Sequence, residues 1–356
     1  MDDFIVKFIG TNGSLERQHV EGFVSSLLFQ QAQPPSQFSI NSLWPWILFF
    51  FLALVQFIFN WIGKKCIFEP FAECFFGQLQ NNAPAKFFRK RKDKKEKFAQ
   101  SLVEAVFYST YFIMGCVIIL EAKWVWPSTE WWVAQDKQGK LILPLNIDET
   151  TFYVAYAARY FAFFICVFLE PIRKDWWEMQ VHHVTTVTLI YLSFISGFVR
   201  VGFIVMVLLD FADTFLHVAK AFKYVQECRT LAGSKSWTST ASLCADIWFA
   251  LFALAFTITR IGMYGYVTWS VWYEATENWV QHEKYGLVKS MDILTAAQHG
   301  AMTLQTGFIC QLLITILFIL ICLWEYYLMN AVWKVLSGAP LKDVRSDSEN
   351  DITKED

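Results

Sequence analysis

The chain has no CxxC pair and no cysteine–histidine spacing of a metal site. Its eight cysteines are scattered at positions 66, 74, 116, 166, 228, 244, 310 and 322, which removes the usual redox and structural-zinc readings. Most fall within apolar runs, where Cys serves as a small apolar residue. No internal repeat is visible. No cleaved-signal pattern opens the chain either: the first apolar run begins at Trp44, behind Pro34 and Pro35, and reads as a retained anchor. Charged residues are scarce at 17%, and they nearly cancel, to a formal −2. With 55% hydrophobic and 18% aromatic residues in 356 positions, the chain is too apolar for an ordinary soluble enzyme.

What it has is long apolar runs, and a helix needs about 20 such residues to cross a bilayer. Seven candidates lie near 44–62, 100–120, 150–170, 179–196, 198–219, 240–267 and 305–330. The fold class expected is therefore an all-α polytopic membrane protein of about seven transmembrane helices. The fourth and fifth runs meet at Gly197 and read as a tight helical hairpin; one long helix kinked there is the other reading. Lys86, Arg89, Lys90, Arg91, Lys92, Lys94, Lys95 and Lys97 crowd the stretch between the first two runs. Arg173 and Lys174 precede the fourth, while Lys220, Lys223, Arg229 and Lys235 follow the fifth. The positive-inside rule puts these three segments in the cytosol. An odd number of spans then leaves the N-terminus lumenal and the C-terminus cytosolic. The sequon Asn12-Gly13-Ser14 fits a lumenal start and makes Asn12 a candidate glycosylation site. The basic run reads as topogenic charge at a membrane surface, not as a nucleic-acid-binding segment. The chain divides into a lumenal segment 1–43, an anchor 44–62, a basic cytosolic loop 63–98, a helical domain 99–335 and an acidic cytosolic tail 336–356.

Four ionisable residues stand out in this apolar setting: His182 and His183, and Asp210 and Asp213. A centrally placed Asp costs roughly 2.5–3.5 kcal/mol on insertion scales. His183 lies 14 residues before Gly197 and Asp210 lies 13 after it. At 1.5 Å per residue both sit about 20 Å from the turn, so a hairpin sets them at one depth, near the cytosolic ends of both helices. Asp210 and Asp213 share a helix face, and His217 continues their stripe. Such a set suits acyl transfer. A neutral imidazole can take a proton from an amine or hydroxyl, or attack a thioester itself. A carboxylate accepting the other ring N–H would fix its tautomer. The bland reading of any one of these residues is a hydrogen-bonded core group. Metal binding is disfavoured, because adjacent histidines lack the i,i+4 spacing that puts both on one helix face.

The run Arg173-Lys174-Asp175-Trp176-Trp177-Glu178-Met179-Gln180-Val181-His182-His183, with Phe198-Val199-Arg200-Val201-Gly202 and Leu209-Asp210-Phe211-Ala212-Asp213, closely resembles the Lag motif of ceramide synthases, here spanning 173–224. The resemblance covers about 85–335. A second piece, Asp343-Val344-Arg345-Ser346-Asp347, is similar to the DxRSD run of relatives' tails. It implies a TLC fold, six helices forming a barrel around a hydrophobic tunnel, after one extra anchor helix. It also implies N-acyltransfer in the endoplasmic reticulum membrane. The partners implied are a fatty acyl-CoA as co-substrate, with no bound cofactor, a sphingoid long-chain base, membrane lipids and a homo- or heterodimeric mate. Family catalytic residues map onto His182, His183, Asp210 and Asp213.

This sequence departs from the family at two points. Only some 37 residues separate Gly63 from Gln100, so the homeobox-like segment of many animal relatives is truncated or absent. His217 stands where relatives often carry Glu, as a tolerated rim residue or as one that tunes the site. The family resemblance ties the aromatic, acidic segment 268–304 to acyl-chain length; its bland reading is an interfacial belt. Ser346 and Ser348 precede acidic residues and are candidate phosphorylation sites. A non-catalytic TLC-domain lipid sensor or trafficking protein is the competing reading. The complete His-His and Asp-xx-Asp set argues against it. A membrane O-acyltransferase would lack the Lag motif.

Overall fold

The computed structural model describes residues 43–79, 83–122, 124–132, 147–169, 176–195, 198–233, 237–280 and 304–337. Asn12, Ser346, Ser348, the DxRSD-like run, Arg173–Asp175 and Gly197 lie outside them, as do the segment 1–42 and the tail from 338. Among the described residues the regular structure is all helical. The elements are α1 (Leu43–Ile62), α2 (Glu69–Phe75), α3 (Ala85–Glu121), α4 (Ile147–Leu169), α5 (Trp176–Ile195), α6 (Val199–Leu231), α7 (Thr238–Phe256), α8 (Tyr264–Val280) and α9 (Leu304–Leu336). A π-turn at Gly63–Phe68 joins α1 to α2 and another at Thr257–Met263 joins α7 to α8, so each pair is one continuous rod. A short 3₁₀ helix, Ser128–Trp132, stands between α3 and α4.

Seven rods thus occupy the seven expected runs. Five of them, α1–α2, α3, α6, α7–α8 and α9, are long and apolar enough to cross a membrane. The corresponding stretch of α4, Thr151–Cys166, is shorter, and α5 carries Glu178, Gln180, His182 and His183 in its first half. The outer faces are apolar: Phe51, Trp61, Leu120, Leu254 and Tyr326 are all more than half exposed. A soluble monomer does not display so much apolar surface, whereas lipid satisfies it. This is a membrane protein.

Three boundaries differ from those expected. The segment 63–98 is not a loop. The π-turn, α2 and the first turns of α3 make most of it helical, because its Lys, Arg and Glu residues are good helix formers with paired charges. Arg91 and Lys95 both reach Glu73, at 2.6 and 2.9 Å, and Lys94 reaches Glu227 of α6 at 2.8 Å. Nor does the segment after 267 leave the helix, since α8 runs on to Val280. Finally, α5 and α6 are two separate helices, as the hairpin reading required, but not tightly paired. α5 packs mainly on α4 and α9, while α6 packs mainly on α3 and α7. A ladder of tyrosines from α4 stands between them. Tyr153 shares a 2.7 Å hydrogen bond with Ser193 of α5, and its hydroxyl lies where a Cβ at position 202 of α6 would fall, so only glycine fits there.

Candidate functional site

The parted α5 and α6 leave a narrow cavity walled by α4, α5, α6, α9 and Trp132. Along α5 its wall runs Thr186, Leu189, Ile190, Ser193, and along α6 it runs from Leu209 back to Phe198. That stretch is twelve residues, eleven helical rises or about 17 Å. The wall is almost wholly apolar or aromatic.

All four predicted residues lie near one end of this cavity. His183 is one helical turn before Thr186 on the same α5 face and is buried, at 7% exposed. His182 is half-buried; its ring centroid lies 5.4 Å from that of His183 and 5.3 Å from that of Trp324 in α9. Asp210 follows the cavity-lining Leu209 on α6 and is 1% exposed. Asp213 is one turn further along. His217 lies beyond the cavity and stacks on Tyr108, at 5.3 Å between centroids.

The carboxylates are held by groups that sequence reasoning missed. Tyr156, itself a cavity-wall residue, donates its hydroxyl to Asp210 at 3.0 Å. Arg159 approaches Asp210 at 3.6 Å and Glu104 of α3 at 4.0 Å. These are charge pairings beyond good hydrogen-bond length. The Arg159 guanidinium lies over aromatic rings, 4.1 Å from the Tyr108 centroid and 5.1 Å from that of Phe163, so ring faces stand in for part of its lost hydration. Arg260, carried by the second π-turn, donates at 2.6 Å to Asp213 and at 2.8 Å to the Leu209 carbonyl. The local widening of a π-turn, often found at functional sites, sets this guanidinium against α6. The arrangement read from sequence, a carboxylate facing a histidine ring, is thus revised. The partners of Asp210 and Asp213 are two arginines and a tyrosine.

Asp210 Oδ2 and the three Arg159 guanidinium nitrogens are buried with no hydrogen-bond partner among the described residues, and the histidine side adds further unmet groups. Three buried polar atoms on α5, Gln180 Nε2, His183 Nδ1 and Thr186 Oγ1, have no hydrogen-bond partner among the described residues. They recur every third position, so they form one stripe leading into the apolar cavity. Each unmet group costs about 1–3 kcal/mol, and a polar ligand at the cavity mouth would satisfy them. Among the described residues, no group of three or more His, Cys, Asp or Glu comes together as a metal site.

A model of the TLC domain matches residues 97–334. The chain belongs to the TLC-domain family. Similar proteins include Alternaria stem canker resistance protein 1 of Solanum lycopersicum, 28% identical over 86% of this chain and 91% of that protein. Ceramide synthase LOH1 of Arabidopsis thaliana is 25% identical over 94% of this chain and 98% of that protein. Ceramide synthase 5 of Homo sapiens is 29% identical over 76% of this chain, a match that spans 60% of the human protein's length. The TLC domain so defined holds the cavity, both histidines, both aspartates and their arginine partners, while α1 and α2 precede it.

Proposed function

We propose that this TLC domain catalyses N-acylation, transferring a fatty acyl group from acyl-CoA to the amine of a sphingoid base. The carrying observation is the α5 stripe: an imidazole with an unpartnered ring nitrogen at the end of an apolar cavity. An acyl chain seated in the cavity would bring its thioester carbon to the histidines, with the CoA outside. His182 or His183 takes a proton from the amine, the nitrogen attacks the thioester carbon, the C–S bond breaks and the thiolate leaves as CoA after accepting a proton. Alternatively the imidazole attacks first, and the amine then displaces it from an acyl-imidazole. The sequence likeness to ceramide synthases supports the sphingoid base as acceptor. It also supports the endoplasmic reticulum membrane as the location, with the basic start of α3 on the cytosolic side and the N-terminus in the lumen.

Membranes containing the full chain, given sphinganine and acyl-CoA, are expected to form N-acyl product and free CoA in equal amounts. His182→Ala and His183→Ala are expected to abolish this. Absence of product from the native protein, or undiminished product from both variants, would overturn the reading. Acyl-CoA supplied alone, followed by rapid quenching and peptide mass spectrometry, separates the two routes, since only the second leaves an acyl group on a histidine.

A further inference from the structure

At the end of the cavity away from the histidines stands Trp132, and that side chain is clamped. Trp132 lies on the cavity wall at 2% exposed. Its ring stands edge-on to Phe198, 6.4 Å between centroids, at the first turn of α6. It belongs to the 3₁₀ helix Ser128–Trp132, which is fastened to the helical bundle at three points. The Trp132 indole N–H donates to Ser270 of α8 at 2.8 Å. Ser128 donates to Glu274 at 2.9 Å and shares a 2.8 Å hydrogen bond with Tyr266. Arg200 donates to the Glu130 carbonyl at 2.8 Å and pairs with its carboxylate at 3.4 Å. Glu274 also accepts from Ser270, so the clamps form one network. A loop anchored in this way is a fixed floor, unlike an apolar wall that yields to whatever presses on it.

We propose that Trp132 is a specificity-determining residue: its indole ends the acyl channel and sets the longest chain that can be seated with its thioester at His182 and His183. The inference rests on the N-acyltransferase reading above. If the head of the acyl group is fixed at the histidines and the floor is rigid, chain length is measured between the two. Excess methylenes then have to be left folded or unburied. Cys310 of α9 lies on the wall at the same end, about one turn from Ile314 and two from Leu317, and offers an independent way to shorten the channel.

The test is a competition among saturated acyl-CoAs stepped by two carbons, with sphinganine as acceptor, the products being resolved by mass spectrometry. Trp132→Ala is expected to raise the ratio of the next longer product to the native one by about tenfold or more, in the range set by one extra methylene in a closed apolar pocket. Cys310→Phe is expected to move the distribution toward shorter chains. Trp132→Phe, which keeps most of the ring but not the N–H, is expected to stay near the native profile. Active Trp132→Ala and Cys310→Phe proteins with native distributions would overturn the proposal. So would a Trp132→Phe shift as large as that of Trp132→Ala, since it would assign the effect to the Ser270 bond and not to volume. If Trp132→Ala does not fold, Cys310→Phe decides alone. A native protein that makes no N-acyl product at all fails the functional reading first, which a changed or unchanged distribution cannot mimic.

Discussion

The two walls that meet at the mouth of the cavity are polar in opposite ways. On α6 each carboxylate faces a cation: Asp213 accepts from Arg260, while Asp210 accepts from Tyr156 on one oxygen and has its other oxygen 3.6 Å from Arg159, without a hydrogen bond. On α5, Gln180, His183 and Thr186 are buried with polar atoms left unmet. Two stripes of similar chemistry, read identically from sequence, therefore have different physical standing. One is a frame in which opposite charges stand beside each other within the protein. The other carries amide, imidazole and hydroxyl groups whose buried polar atoms are unmet among the described residues. If this contrast is right, lesions on the two walls should fail in different measurements.

The largest effect expected is on the histidine wall. His183→Ala or His182→Ala should lower N-acylation by about 100-fold or more, the usual worth of a positioned acid–base group, while thermal unfolding in detergent stays near that of the native protein. A large loss of stability in His183→Ala would break the comparison, by making that ring part of the frame. Next comes Arg159→Met. Stripping a cation from a buried carboxylate leaves an uncompensated charge and should cost roughly 3–5 kcal/mol of stability. Adding Asp210→Asn to that background should recover part of the loss, a coupling that a double-mutant cycle measures. Independent, additive losses would show that the Arg159–Asp210 pairing is not real. Arg260→Gln is milder, because Asp213 is less deeply buried: about 1.5–3 kcal/mol, the worth of hydrogen bonds to a charged group. The smallest effect is that of Tyr156→Phe, which deletes one donor to Asp210 and should cost about 1 kcal/mol. Greater damage to activity than to stability there would move Tyr156 from the frame to the reacting wall.

The sequence carried the helical class, the seven runs and the four ionisable residues, because apolar run length and the cost of intramembrane charge both act locally. Arg159 and Arg260 were legible by the same rule that picked out the aspartates. Each is a lone cation within an apolar run, at Ala158-Arg159-Tyr160 and Thr259-Arg260-Ile261, and each needed a partner. Which aspartate each would take was not legible, since that depends on α4 and the second π-turn reaching α6 across the fold. Counting residues led to the expectation of one depth for His183 and Asp210, but counting cannot show that a tyrosine ladder would part the two helices. The basic loop was misjudged for a related reason. Positive charge reports which side of a membrane a segment occupies and says nothing against its being helical. The floor at Trp132 was invisible, because its hydrogen bonds to α8 span more than a hundred residues of chain.

The unbroken run of α3 from the charged Lys86 to the apolar Leu120 has a mechanical consequence. Its 37 residues extend about 55 Å, against roughly 30 Å of hydrocarbon, so nearly half of it stands clear of the lipid as a mast. Lys94 on that mast is lashed to Glu227 of α6, and α6 continues without a break from Glu227 to Asp210. A torque applied at the charged tip is therefore transmitted down a stiff spar to the depth of the reacting groups, with no hinge along α6 to absorb it.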